Sequence, residues 1–258
     1  MGSCYFYLEF LLVWHHLLVE AGFQNPAVFA LDYTLVPEGI YPKQVGETLE
    51  GYKHVLDAVK DASKVCVAGD SAGGALILSL LQELGAKTSN QEQRGIKAGV
   101  RGSLTPPAVP EFDLPQMATL ISPWVTLVTN AHYPSSVDYL DRQTLWRFAH
   151  QYAGESMINQ HPASPGSCLD EALWKAASPE RGYYIVYGDE EVFGPDIEGF
   201  IKRQSQLGIE MKSWKIPGGV HAWPVASLFL SSNADKRLEG LRNLVREIKT
   251  RFGEKMKN

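Results

Sequence analysis

The stretch Val65-Cys66-Val67-Ala68-Gly69-Asp70-Ser71-Ala72-Gly73-Gly74-Ala75-Leu76-Ile77-Leu78 constrains this chain more than any other. It opens with valine at alternate positions, the pattern of a buried strand. It turns through Gly-Asp-Ser-Ala-Gly-Gly and continues as an apolar helix. A Gly-x-Ser-x-Gly turn between strand and helix is a nucleophile elbow, which presents its serine at the top of a sheet. A Cβ beside so tight a turn would collide with the neighbouring chain, and this assigns steric roles to Gly69 and Gly73. The helix aims its first N–H groups, beginning with Ala72, at negative charge forming near Ser71. Ser71 is therefore the candidate nucleophile and Ala72 the candidate oxyanion donor. The plain alternative is an inert serine in a Gly-rich turn. The strand before it and the helix after it argue against that.

Serine proteases built on an all-β double barrel carry a similar Gly-Asp-Ser-Gly-Gly loop. Here the serine opens a helix, and the chain alternates strands with helices. At 258 residues the chain can bury a sizeable core and reads most simply as one domain over 1–258. Hydrophobic residues make up 45% and charged residues 21%, as in a water-exposed globular protein. A net charge of −5 gives no basic footprint for nucleic acid or an anionic membrane. Cys4, Cys66 and Cys168 are odd in number and far apart. They form neither a disulfide framework nor a metal-ligand spacing, which suits a reducing, cytoplasmic setting.

Residues 5–19 are strongly apolar, but Glu9, His15 and His16 interrupt them. The run lacks the basic start of a signal peptide and is short for a membrane anchor, so a buried helix ending near Gly22 is predicted. Asn25–Leu35 reads as a strand. Val45, Leu49, Tyr52, Leu56 and Val59 fall on one face of a helix. Lys87–Pro115 is polar and rich in Gly, Pro and Gln, and reads as a long surface loop. Ala118–Ile121 is a strand closed by Ser122-Pro123-Trp124. Helices are predicted over Asp138–Gly154 and Leu169–Ala177 with no strand between them, so about 130–177 is expected to be a helical cap insertion. Tyr183–Tyr187 is a strand leading to Asp189-Glu190-Glu191. Asp196–Leu207 is helical, Met211–Ile216 is a strand ending at His221, and the last helix covers about Lys236–Phe252.

Strands alternating with helices imply an α/β fold, a mostly parallel sheet with helices on both faces. Chemistry in such sheets sits beyond the carboxyl ends of the strands. Three of those ends carry reactive side chains: Ser71, then the acidic cluster 189–191, then His221. That order is the α/β-hydrolase order. A serine hydroxyl is a poor nucleophile at neutral pH, so His221 would take its proton and return it to the leaving alcohol. The remaining histidines, His132 among them, show no partner spacing and read as structural or surface residues.

The sequence resembles the hormone-sensitive-lipase-like branch of the α/β-hydrolases, and within it the filamentous-fungal members. Asp32-Tyr33-Thr34-Leu35-Val36-Pro37-Glu38 is similar to that family's DYRLAPE segment. GDSAGG is its nucleophile motif, and Ser122-Pro123-Trp124 its SPW turn. Ala163-Ser164-Pro165 and Gly218-Gly219-Val220-His221 also match. The resemblance implies a carboxylic-ester hydrolase without cofactor or metal, in a setting such as fungal secondary metabolism. It would act on a small-molecule ester or lactone with a small or medium apolar acyl group. Trp124, Phe193 and Trp223 are candidates for the pocket mouth or for the core. The family's triad acid is an aspartate, and counting back from Gly208 the matching position holds Glu191, with Asp189 as the alternative.

The chain departs from the family at its start. The resemblance places the HGGG segment, which supplies most of the oxyanion hole, just ahead of Met1, and implies an incomplete hydrolase with little esterase activity. A second reading follows, in which the chain is a non-catalytic relative that binds a ligand. The sequence leaves substrate identity and oligomeric state open.

Overall fold

The computed structural model describes residues 5–99 and 113–253. Four strands, β1 (Cys66–Asp70), β2 (Met117–Ile121), β3 (Tyr183–Gly188) and β4 (Met211–Ile216), form a parallel sheet in sequential order. The register aligns Val67 with Ala118, Ala118 with Tyr183, and Tyr183 with Met211. Around the sheet lie α1 (Leu8–Glu20), α2 (Lys43–Val59), α3 (Ala72–Gly99) and α4 (Arg142–Met157). They are followed by α5 (Glu171–Ala176), α6 (Gly194–Gln206), α7 (Trp223–Leu230) and α8 (Ala234–Gly253). This is the α/β-hydrolase architecture that the strand–helix alternation predicts.

Side chains of a strand alternate between faces, and the two central strands use that period to build two cores. Ala118, Leu120, Tyr183 and Ile185 point into one core with Leu78 and Leu81 of α3, Trp174 of α5 and Phe200 of α6. Met117, Ile121, Tyr184 and Val186 point into the other with Phe10 and Trp14 of α1 and Leu241, Leu244 and Ile248 of α8. Each large side chain buried in this way contributes about 1.5–3 kcal/mol. Asp141 and Asp170 begin α4 and α5 by accepting the N–H groups of Thr144 and Leu173. Such a cap contributes about 1 kcal/mol and fixes where the chain enters the helix.

Two expectations need correction, and one helix goes beyond them. Residues 26–35 make no ladder hydrogen bonds, so the predicted Asn25–Leu35 strand is not formed. Among the described residues β1 is the edge of the sheet, and a strand exists only against a partner. Side chains of α2 hold this segment instead. Glu47 accepts the N–H and hydroxyl of Thr34, and the Gln44 amide donates to the Thr34 and Gly39 carbonyls. The predicted loop over Lys87–Pro115 is helical as far as Gly99, because its Gln, Glu and Lys residues are good helix formers despite the missing apolar face. Residues 100–112 of that prediction lie outside the described residues. Finally, α7 was not foreseen; it starts at Trp223-Pro224, and proline is favoured in a helix's first turn.

Candidate active site

Ser71 follows the last residue of β1 and precedes the first of α3, with φ at +52°. A non-glycine residue in that region is strained by about 1–3 kcal/mol and persists only where its surroundings hold it. They do so here through the backbone. The Ser71 N–H donates to the Ile121 carbonyl at 3.0 Å, and the Ser71 carbonyl accepts from Trp124 at 2.9 Å. The close approach at the elbow is made by Gly69 and Gly74. A Cβ on Gly69 would strike the Gly73 carbonyl, and one on Gly74 would lie 2.7 Å from the Pro123 Cβ. A Cβ on Gly73 would meet nothing within 4 Å, so the steric role expected of Gly73 belongs to Gly74. Ala72 is the first residue of α3, so its N–H has no carbonyl one turn earlier to bond.

The ends of the other strands converge on the same edge. Glu191 lies three residues past β3, His221 five past β4, and Ser122 one past β2. Glu191 and His221 are both buried, at 1% and 3% exposure. Glu191 Oε2 accepts from the Ser122 hydroxyl at 2.5 Å and from the Gly188 N–H at 3.0 Å. Ser122 Oγ in turn accepts from the Ala222 N–H at 2.9 Å. The imidazole of His221 sits edge-on to Phe193 and Tyr139, with ring centroids 5.2 and 5.9 Å away. Asp189, the alternative acid, is exposed and accepts from the Gly218 N–H at 2.6 Å.

Among the described residues no hydrogen bond joins Ser71 to His221 or His221 to Glu191. Glu191 Oε1 and His221 Nδ1 are each buried without a partner. One is an acceptor and the other can be a donor, so the pair is complementary. Burial pushes the Glu191 carboxyl up to about 8, against the hydrogen bonds from Ser122 and Gly188, and Asp138 adds to the rise. Burial also lowers His221 to about 3. A neutral imidazole is the form that accepts a proton from a serine.

Sequence reasoning passed over four side chains around this edge. The Asp138 carboxylate accepts the N–H groups of Val192 at 2.9 Å and His221 at 3.3 Å. Tyr139 donates its hydroxyl to the His221 carbonyl at 2.9 Å. Tyr7 of the α1 N-terminus donates to Asp70, next to Ser71, at 2.7 Å. Ser122 reads in the sequence only as part of a turn, although its place at a strand's carboxyl end is a usable signal. Asp138, Tyr139 and Tyr7 carry no such signal, because they reach the site through the folding of distant segments.

Other candidates fall away from the edge. His132 is wholly buried and accepts from Trp146 Nε1 at 3.2 Å. Burial lowers its pKa to about 4. Trp124 and Phe193 are core residues, stacked at 5.6 Å and buried, while Trp223 is half-buried. Among the described residues no cluster of three or more His, Cys, Asp or Glu could hold a metal ion, and no helix is long and apolar enough to cross a membrane.

Comparison with known proteins agrees with this fold. A family described as "alpha/beta hydrolase fold" matches residues 14–225. The chain is 29% identical over 183 residues to a Schizosaccharomyces pombe protein named "Putative steryl acetyl hydrolase mug81", covering 67% of this chain and 42% of that protein. It is 26% identical over 208 residues to an "Acetyl-hydrolase" of Streptomyces hygroscopicus, covering 76% and 57%. It thus spans about half the length of these relatives. The crystal structure of the HSL homologue EstE7 from a metagenome library superposes with a TM-score of 0.68 at 21% identity, covering 94% of this chain and 72% of that one. The family match over most of the chain, together with the elbow between β1 and α3, makes this protein a member of the α/β-hydrolase fold family.

Proposed function

We propose that the chain is a serine carboxylic-ester hydrolase acting on small or medium apolar acyl esters or lactones through Ser71, His221 and Glu191. The observation that carries this reading is a strained serine at the β1–α3 elbow, on the same sheet end as a buried glutamate and a buried histidine. His221 removes the Ser71 proton as Oγ attacks the ester carbonyl. The Ala72 N–H stabilises the oxyanion at the start of α3, and Glu191 orients the imidazole and stabilises its charged form. Collapse expels the alcohol, which takes the proton from His221. Water, deprotonated by the same imidazole, then releases the acid and restores Ser71. The relatives named acetyl hydrolases favour a short acyl group, and one of them is named for steryl esters, an apolar alcohol side.

The test is covalent labelling with a fluorophosphonate, together with hydrolysis of 4-nitrophenyl acetate and longer homologues. Labelling confined to Ser71, abolished in Ser71→Ala, and turnover falling with acyl length are expected. Selective turnover of phosphorylated or polyanionic substrates would overturn the substrate class. One observation favours a second reading, a ligand-binding relative without catalysis: the Ser71 hydroxyl and the His221 ring share no hydrogen bond. A well-folded chain that neither labels nor turns over any ester would establish that reading in place of the first.

A further inference from the structure

We propose that Asp138 is a positioning residue that sets Glu191 against His221, with Ser122 as a second bridge doing the same. The inference rests on the Ser71–His221–Glu191 reading above. Acid and histidine stand on separate loops, after β3 and after β4, and no hydrogen bond joins their side chains. Asp138 Oδ1 accepts the His221 N–H and Oδ2 accepts the Val192 N–H, next to Glu191. Ser122 Oγ accepts the Ala222 N–H, next to His221, and donates to Glu191 itself. Each bridging side chain therefore touches both loops, and between them they engage residues 191, 192, 221 and 222.

The consequence is geometric. Ser122 and the Gly188 N–H occupy Glu191 Oε2, so Oε1 is the oxygen left for the imidazole. The backbone of His221 is gripped at its N–H by Asp138 and at its carbonyl by Tyr139, so the ring's swing is limited to its own side-chain torsions. Asp138 is itself held, because its N–H donates to Ser135 Oγ at 3.1 Å. Two N–H donors converge on one side chain, and only a carboxylate offers an oxygen to each. Asparagine has the same shape but presents one acceptor and one N–H₂ group, which would face a second donor. Asp138 comes from the segment just before α4. The register of the acid and histidine loops thereby depends on a segment that belongs to neither.

The experiment compares Asp138→Asn, Asp138→Ala and Ser122→Ala with the unaltered chain. Asp141→Ala serves as a control, since it removes the α4 cap without touching either loop. Two readouts are taken: the fluorophosphonate labelling rate at Ser71, and the His221 ring tautomer from ¹⁵N NMR. The unaltered chain should hold the His221 proton on Nδ1. Labelling should slow about tenfold in Asp138→Asn and about a hundredfold in Asp138→Ala, as expected when reacting groups are displaced by about an ångström. Tautomers should mix in both, while Asp141→Ala keeps the original rate and tautomer. Asp138→Asn tests the acceptor pattern at constant shape, so it gives the answer even if Asp138→Ala does not fold. Unchanged rate and tautomer in Asp138→Asn would overturn the proposal. If the unaltered chain does not label at all, the esterase reading fails separately. The tautomer comparison then decides the role of Asp138 alone: mixed tautomers in Asp138→Asn support it and an unchanged tautomer refutes it.

Discussion

The two sides of the candidate site are held by different means. On the β3–β4 side, Glu191 and the His221 backbone are fixed by three side chains from two other places: Ser122 after β2, and Asp138 and Tyr139 before α4. The strand below, β3, is buried along its whole length. On the β1 side, Ser71, the proposed nucleophile, stands at the sheet's edge among the described residues. Ala68 is exposed, and residues 27–30, expected to pair alongside, are exposed as well and pair with no strand. Ser71 keeps its left-handed backbone through the Ile121 carbonyl and the Trp124 N–H. An acid and a base that must face each other need their loops in register, which takes many directional bonds. A nucleophile on a turn needs only its dihedral angle, which two backbone bonds and close glycine contacts impose.

Breaking the β3–β4 side should have the largest effect. Glu191→Gln keeps the shape and the Ser122 bond but replaces a carboxyl that can ionise to balance a charged His221 with an amide that cannot, and turnover in an ester assay should fall by about ten-thousandfold. Asp189→Asn, on the exposed turn, should leave turnover nearly unchanged. The reverse outcome would transfer the acid's role to Asp189.

Deeper under the same side lies an ion cluster. Glu247 accepts from Lys212 at 2.6 Å and from Arg251 at 2.8 Å, and Arg251 also donates to the Arg181 carbonyl. Burial alone would raise the Glu247 carboxyl, but the Lys212 and Arg251 hydrogen bonds outweigh it and hold the group below its ordinary value. Glu247→Ala leaves the buried Arg251 without its nearest counter-charge. It should cost about 3 kcal/mol in denaturant unfolding. A cost indistinguishable from zero would mean that the cluster adds nothing.

The pH dependence of stability sharpens the comparison through Glu191 and His221, which burial shifts in opposite directions. Glu191 rises from 4.5 to about 8, so the folded state keeps a proton that the unfolded chain has lost, and stability falls as pH rises through that window. His221 drops from 6.5 to about 3, so the unfolded chain binds a proton that the folded state refuses, and stability falls as pH drops through that window. The two slopes oppose each other between about pH 4.5 and 6.5. Above that Glu191 acts without opposition from His221, and its slope gives a loss of about 2 kcal/mol between pH 6.5 and 8. Thermal melts at the two pH values check this, and Glu191→Gln should flatten the loss.

The smallest effect belongs to the β1 side. Glu47→Ala releases Thr34 and should speed hydrogen exchange at the Thr34 amide, while global stability changes by about 1 kcal/mol or less. A large loss of global stability would show that this side is braced as tightly as the other.

The elements were legible where a period or a turn marked them. Alternating valines announced β1, and the spacing of Val45, Leu49, Tyr52 and Leu56 announced α2. The 26–35 segment misled because its apolar residues look like a strand, and strand formation depends on a partner that sequence pattern does not report. The polar run after Lys87 misled in the other direction, since helix propensity carried α3 to Gly99 without an apolar stripe.

What the sequence determined by itself was the elbow and the order of the reactive residues along the chain. Those are local facts: a strand, a glycine-bound turn and a helix impose the Ser71 backbone, and the alternation of elements sends the other reactive loops to the same end of the sheet. What only the tertiary structure decided was which acid is buried, that Gly74 rather than Gly73 makes the close contact, and which side chains tie the two loops together. Glu191 and Asp189 are chemically alike and two residues apart. Burial separates them: one is enclosed with Ser122 and Gly188, while the other faces water with Gly218. Asp138 reaches the histidine across 83 residues of chain. No local pattern encodes a contact of that separation, because it exists only once the loop before α4 and the loop after β4 have been folded against each other.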